Sequence, residues 1–266
     1  MKRTILTIIC LLSCVLGTTA DDAILNALNT RLYKARVKMV DEFVVRFNGE
    51  AFRHDLLPEH KTRRNGILML FDQELIDTSS VAMQQVFMNF AEQAVADSVM
   101  LHFEDEDWFA TVTCTGKYGK RQVSFSIILK VERRDSSKMF KWVISDVDGD
   151  IFKTSRDNPH RELFIMPNDH EQFFSSLIRA TGEAHEFIDD YARSDFNTDA
   201  LSSFMTLVRS GLLRIESVSG VKFTFLQVPG YTFSIKYFIR ESMNDGWLIS
   251  ECQTCTDVEK EKLLKH

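Results

Sequence analysis

The sequence lacks the short motifs that mark many nucleotide-binding and hydrolytic enzymes. Gly-x-Ser-x-Gly, Gly-x-Gly-x-x-Gly and Gly-Lys-Ser/Thr are all absent from its 266 residues. It also lacks an excess of basic residues, since 32 Lys and Arg stand against 38 Asp and Glu, a net charge of −6. A nucleic-acid-binding surface needs basic side chains for the phosphates, so this balance argues against such a partner.

Long apolar runs are missing except near the N-terminus. There a basic start, Lys2-Arg3, is followed by an apolar run over 5–16 and by Thr18-Thr19-Ala20. This pattern predicts a signal peptide over 1–20 and therefore export to the periplasm or the cell exterior. The run is shorter than the roughly 20 residues of a membrane-spanning helix. An alternative is a lipobox at 11–14, which would make Cys14 a lipidated residue and anchor the protein to a membrane.

Cysteine is scarce: only Cys114, Cys252 and Cys255 follow the predicted signal peptide. Export permits a disulfide, but three is an odd number and a chain of this length needs no such staple. A redox Cys-x-x-Cys pair usually opens a helix, whereas this pair follows the last predicted strand. A zinc site would need two further ligands. The sequence predicts a disulfide between Cys252 and Cys255, or one with Cys114, or simply free thiols.

An acidic cluster is the one motif with metal-ligand spacing. Asp146, Asp148, Asp150 and Asp157 occupy positions one, three, five and twelve of a calcium-type loop. Position six is Ile151 where the sharp turn requires glycine, and a strand leads into the loop instead of a helix. These departures favour a solvated acidic turn. The sequence therefore predicts no metal and no cofactor, with calcium as the weaker alternative.

Two stretches of alternating apolar and polar residues repeat one pattern. Phe125-Ser126-Ile127 leads to Trp142-Val143-Ile144-Ser145, and Phe233-Ser234-Ile235 leads to Trp247-Leu248-Ile249-Ser250. Alternation with period two predicts strands that bury one face. The repeat predicts two related hairpins and hence two related domains. The alternative is a single domain whose hairpins are alike because such alternation is common.

Helical patterns precede the strands in both halves of the chain. Apolar spacing predicts a long helix over 22–47 closed by Asn48-Gly49, a short helical piece over 67–75, and a helix after caps at 77–80. It also predicts a second long helix over 168–191 and a helix capped at 197–199. Predicted strands cover 98–103, 108–115, 121–132, 139–147, 212–218, 221–228, 231–240 and 246–253. The predicted domains are 21–152 and 168–256, with a linker over 153–167 and a polar tail over 257–266.

Helices followed by an antiparallel meander resemble the nuclear transport factor two-like superfamily of cystatin-like rolls. The similarity rests on the pattern around Phe43-Val44-Val45-Arg46-Phe47-Asn48-Gly49 and on the two Trp-containing strands. It implies an α+β fold of two tandem cone-like rolls. Each would pack a long N-terminal helix and shorter helices on a curved meander of about four strands. Members include isomerases, dehydratases and binding proteins, so the fold does not select the function.

The favoured functional hypothesis is a non-catalytic binding or scaffold protein of the bacterial cell envelope. Aromatic residues are dense on the predicted strands, and a minority of them could contact a small apolar ligand or a protein partner. The alternative is an isomerase or dehydratase acting on a small apolar substrate in one cone. Such an enzyme would bring an Asp or His and a Tyr together in a closed apolar pocket. The sequence leaves the oligomeric state open.

Overall fold

The computed structural model describes residues 39–50, 62–133, 139–152, 165–182, 185, 188, 191–193, 199–240 and 244–265. These residues form an α+β fold, as the sequence predicts, with a six-stranded antiparallel sheet and several helices. Within these ranges no helix is both long enough and apolar enough to cross a membrane. The predicted signal peptide, the first part of the predicted N-terminal helix and most of the predicted linker lie outside the described residues.

Four helices come first in the described chain: α1 (Val40–Phe47), α2 (Arg63–Leu68), α3 (Gln73–Thr78) and α4 (Val81–Ala96). Helix α1 ends at Phe47 with Asn48 as its C-cap, and Gly49 follows with a φ of 82°, a left-handed conformation that favours glycine. This confirms the predicted end of the first helix. The Ser80 hydroxyl accepts a hydrogen bond from the backbone of Met83 and caps α4, which confirms the helix predicted after 77–80.

Two local predictions in this region are wrong. Residues 98–103 form no strand, because the Asn48 side chain bonds both backbone groups of Leu101, at 2.9 and 3.0 Å. A side-chain amide thus replaces a neighbouring strand as the partner of this buried backbone. The single helical piece predicted over 67–75 is instead α2 and α3. Phe71 lies between them and forms a parallel bridge with Ile249.

The second long helix, predicted over 168–191, is also wrong in the described residues. A 3₁₀ turn, Asp169–Gln172, is followed by Phe173 and Phe174 with φ values of 53° and 56°. Two successive left-handed residues interrupt the helical hydrogen-bond ladder, and the short helix α5 (Ser176–Thr181) follows them. Asn168, at the start of the 3₁₀ turn, makes no side-chain capping hydrogen bond. The neighbouring Asp169 carboxylate accepts from the Ser176 hydroxyl at 2.9 Å.

Helix α6 (Ala200–Arg209) confirms the helix predicted after 197–199. At its start the Asp199 carboxylate accepts from the backbone N–H of Ser202 at 2.7 Å. Hydrogen bonds from Ser202 hold the pKa of Asp199 below its ordinary value. Gly211, with a φ of 73°, follows the end of the helix. Capping residues therefore fix both ends of this element, as the sequence indicates.

The strands are β1 (Trp108–Tyr118), β2 (Arg121–Arg133), β3 (Phe140–Asp148), β4 (Leu213–Phe225), β5 (Tyr231–Phe238) and β6 (Gly246–Thr254). Their order in the sheet is β3-β2-β1-β4-β5-β6. Each half of the chain supplies three consecutive strands instead of the predicted four, and the two sets follow in mirrored order. The strands predicted at 212–218 and 221–228 are the single strand β4, because residues 219 and 220 stay extended.

A tight turn and pairs of facing residues define how β4, β5 and β6 align with one another. Gly230, with a φ of 75°, completes the predicted turn between β4 and β5. Phe225 lies opposite Phe233 across β4 and β5, and Tyr237 lies opposite Trp247 across β5 and β6. After β6, the predicted polar tail forms the helix α7 (Asp257–Lys265). The Lys260 ammonium donates to the carbonyls of Leu226 and Val228, at 2.8 and 2.6 Å, and fastens this helix.

The described residues pack around two hydrophobic cores that belong to two compact units. The first unit takes its described residues from 1–110, 130–142 and 221–266, and the second from 111–129 and 143–220. The units therefore interleave along the chain, and the consecutive domains over 21–152 and 168–256 stay a prediction. The first core is built around Phe43, Phe47, Phe71, Phe90, Phe225 and Phe233. The second is built around Cys114, Phe125, Ile127, Phe152, Phe204 and Leu213.

A buried ionic cluster ties α3 to the β5–β6 connection within the first unit. The Arg240 guanidinium donates to the Asp72 carboxylate at 2.6 Å and to Glu74 at 3.0 Å. The carboxamide of the buried Asn244 donates to the Phe71 carbonyl at 3.1 Å and accepts from the backbone of Gln73 at 2.9 Å. Hydrogen bonding to Asp72 raises the pKa of Arg240. The cluster satisfies several polar groups together, which is what burial of charge requires.

Candidate binding face

Six aromatic residues of the first unit form a continuous series of ring contacts, which we call the aromatic face. Its members are Phe103, Trp108, Trp142, Phe223, Tyr237 and Trp247. Successive ring centroids lie 4.8–5.7 Å apart, and the rings meet tilted or edge-on, which are the arrangements that aromatic quadrupoles favour. The face therefore offers a broad, preformed apolar surface.

The strand pattern explains why these rings share one side of the sheet. Phe223 and Phe225 alternate along β4, so both point to the side that carries the first core. Tyr237 and Trp247 are direct neighbours across β5 and β6, and their ring centroids lie 5.5 Å apart. Trp108 stacks on Phe225 at 5.3 Å with an interplanar angle of 12°. The aromatic face is thus a continuation of the first core.

Exposure separates the aromatic face from the core beside it. Trp142 is 43% exposed, Tyr237 46% and Phe103 37%, whereas Trp108 is only 2% exposed. The outer rings contact solvent, and the buried indole of Trp108 packs against two of them, Phe103 and Trp142. Exposed apolar patches on a packed base are typical of binding surfaces, and rigid aromatic side chains lose little entropy when a ligand binds.

The opposite side of β4, β5 and β6 is charged. Glu251 accepts hydrogen bonds from Lys222 at 3.1 Å and from Lys236 at 3.0 Å. Burial opposes ionisation of Glu251, yet the two lysines hold its pKa below the ordinary value. Such partly exposed pairs contribute little stability. The side of β4, β5 and β6 opposite the aromatic face therefore carries an ion-paired cluster beside the buried Thr224 and Ser234.

Two grooves of the first unit are weaker candidates. One, of about 680 Å³, lies between the β4–β5 turn and the start of α7. There the Glu259 carboxylate accepts from the backbone and the hydroxyl of Thr256, both at 2.8 Å, and so acts as a helix cap. The other, of about 360 Å³, is lined by Asp72, Glu74, Lys236 and Phe238. Its acids belong to the ionic cluster around Arg240, so the polar groups of both grooves already serve the fold.

The acidic residues predicted as calcium ligands are not gathered into a loop in the described chain. Asp146 and Asp148 lie on β3, and Asp150 begins the 3₁₀ helix Asp150–Phe152. Among the described residues, no group of three His, Cys, Asp or Glu side chains is arranged to hold a metal ion. Asp157 lies outside the described residues, so the calcium site stays a prediction. His102, next to the acidic run 104–107, is exposed.

The three described cysteines are buried free thiols, which is one of the outcomes that the sequence left open. Cys252 lies in the first core, and burial raises its pKa to about 12. Burial also raises the pKa of Cys114 and of Cys255. A protonated thiol is a poor nucleophile and a poor metal ligand, so none of these three is favoured for catalysis. Cys14, the predicted lipidation site, lies outside the described residues.

The sequence pattern includes every member of the aromatic face but does not show that their rings pack together. All six are aromatic residues on or next to predicted strands, and the same pattern also describes the core residues Phe225 and Phe233. Only the packing shows which rings are covered. No protein-family model, no curated protein and no solved structure matches the chain.

Proposed function

We propose that this protein is a non-catalytic binding protein that holds a small apolar ligand against the aromatic face. The observation that carries the proposal is the exposure of Trp142 and Tyr237, at 43% and 46%, on a base of packed rings. Burying apolar surface contributes about 25 cal/mol per Å². Because the rings already contact one another, a ligand would gain this burial without first ordering the site.

The residue types of the aromatic face favour binding over catalysis. Its six side chains carry one hydroxyl, on Tyr237, and no acid or base. An isomerase or dehydratase would need a proton acceptor near its substrate, because proton transfer in the transition state supplies much of its rate. The ionic cluster around Arg240 includes Asp72, but this carboxylate is bonded to the guanidinium at 2.6 Å. The enzyme hypothesis has no comparable support.

We further propose that the protein is exported to the bacterial envelope and that its two halves are related copies of one roll-like unit. The signal-like sequence over 1–20 supports export, with lipidation at Cys14 as the alternative route. The mirrored strand order, three strands from each half, supports a relation between the halves. Mass spectrometry of the purified mature protein would distinguish a chain that begins at Asp21 from one that begins at a lipidated Cys14.

A fluorescence titration tests the proposed binding. An environment-sensitive naphthalene dye is titrated into the full-length protein and into two variants, Trp142→Ala and Tyr237→Ala. We expect each variant to bind at least about fivefold more weakly, which corresponds to roughly 1 kcal/mol of lost aromatic contact. Phe173→Ala is the matched control, because Phe173 is 93% exposed and lies in the second unit. Equal affinities for all four proteins would contradict the proposal.

A further inference from the structure

The indole nitrogen of Trp108 is a buried donor without an acceptor among the described residues. Trp108 is 2% exposed, and its Nε1 has no hydrogen-bond partner within the described ranges. In the same unit the side-chain nitrogen of Gln227 shares this condition, whereas other buried polar side chains have partners. The Thr224 hydroxyl bonds to that of Ser234 at 3.0 Å, and the Thr232 hydroxyl donates to the Phe225 carbonyl at 3.3 Å. An orphaned donor is therefore an exception in this core.

Trp108 is also the residue on which the aromatic face converges. Its ring centroid lies 5.7 Å from that of Phe103, 4.8 Å from that of Trp142 and 5.6 Å from that of Phe223. The indole N–H can only donate, and leaving a buried donor unpaired costs free energy that a bound acceptor would recover. Trp142, whose ring meets that of Trp108 edge-on, is itself 43% exposed, so a partly solvent-facing ring separates the indole from a ligand bound on the face.

We propose that the ligand of the aromatic face carries a hydrogen-bond-accepting oxygen on a flat apolar body, and that Trp108 Nε1 donates to this oxygen. The inference rests on the proposed binding function and adds the chemical class of the ligand to it. The apolar body of the ligand packs on Trp142, Phe223 and Trp247. Among ligands of equal size, the protein then prefers the one that carries the oxygen. A site that provides a buried donor rejects analogues that leave this donor unpaired.

Two probes of nearly identical shape separate the hydrogen bond from apolar burial. 2-Acetylnaphthalene carries a carbonyl oxygen, and 2-isopropenylnaphthalene has a CH₂ group in its place. Calorimetric titration of each probe into the full-length protein should show the acetyl probe binding about tenfold more tightly, the typical effect of one neutral hydrogen bond. Trp108→Phe keeps an aromatic ring and removes the N–H, so it should abolish this preference. Phe173→Ala, a change at a 93% exposed position of the second unit, should preserve it.

Each outcome bears on a distinct claim. If neither probe binds the wild-type protein, the proposed function itself fails. Equal binding of both probes to the wild-type protein, or an unchanged preference in Trp108→Phe, overturns only the hydrogen bond from Trp108. The first result would indicate that the edge-on ring of Trp142 already satisfies the indole. Should Trp108→Phe not fold, NMR of the wild-type protein decides, since the Trp108 indole N–H resonance must move further downfield with the acetyl probe than with its analogue.

Discussion

The substitution Phe233→Ala tests whether the first core is held together as the ring contacts indicate. Phe233 is 1% exposed, and its ring lies 4.9–6.4 Å from those of Phe43, Phe47, Phe90 and Phe225. Truncation of a buried phenylalanine to alanine costs about 3–5 kcal/mol, and more when the cavity cannot collapse. The four neighbours are fixed to α1, α4 and β4. We therefore expect a loss of about 4–5 kcal/mol in the free energy of unfolding.

Urea denaturation followed by tryptophan fluorescence provides the assay. All three tryptophans, Trp108, Trp142 and Trp247, belong to the first unit, so their emission reports on the core that contains Phe233. The midpoint should fall while the dependence of the unfolding free energy on urea stays constant. Phe173→Ala, at a position 93% exposed, should change stability by no more than about 0.5 kcal/mol. A loss below about 2 kcal/mol for Phe233→Ala, at constant slope, would refute the packing argument.

Three further substitutions test other contacts of the structure by urea denaturation. Gly116→Ala should destabilise the second unit by about 1–3 kcal/mol, because the added Cβ would lie 2.5 Å from a backbone oxygen of β4. The Cβ of Gly220→Ala meets no atom of the described residues within 4 Å, so this control should be neutral. Equal effects of the two changes would contradict the argument. Arg240→Met should lower the free energy of unfolding by about 3 kcal/mol, because it leaves the buried Asp72 carboxylate without its ion-pair partner. Adding Asp72→Leu to this variant should recover part of the lost stability. The Cys252 thiol has an ordinary pKa of 9.0 that burial raises to about 12. Above pH 9 the Cys252 thiol ionises in the unfolded state but not in the folded state, so the wild-type protein loses free energy of unfolding as the pH rises from 9 to 11, by up to about 1.4 kcal/mol per pH unit. Cys252→Ala lacks this thiol and should lose less. Identical pH profiles of the two proteins would disprove the raised pKa.

Elements with local signals are predictable from this sequence. Helix α6 is bounded by a capping Asp199 and by Gly211, and both act within a few residues of the chain. The alternation in β2 and β5 likewise predicts strands, because a pleated strand with one buried face imposes period two. Nothing distant in the sequence is needed to establish these elements. Their predicted and observed positions therefore agree.

Elements decided by distant partners are not predictable in this way. The apolar spacing over 173–191 fits a helix, but Phe173 and Phe174 adopt left-handed conformations and the Asn168 side chain makes no capping hydrogen bond. Leu101 lies in an apolar stretch that suggests a strand, yet its backbone N–H and carbonyl are hydrogen-bonded to the side chain of Asn48, 53 residues earlier. Tertiary contacts override local preference at both places, which single-sequence patterns cannot anticipate.

The aromatic face shows why function is harder to infer than fold. The pattern along β4 places Phe223 and Phe225 on one side of the sheet, but it does not say that Phe225 is buried and that Phe223 borders exposed rings. Trp108 belongs to both environments, since it stacks on Phe225 at 5.3 Å and meets Trp142 at 4.8 Å. A change deep in the core is therefore expected to weaken the proposed binding by loosening this base. Loss of affinity in variants of the exposed rings, at unchanged stability, would identify a direct contact with the proposed ligand.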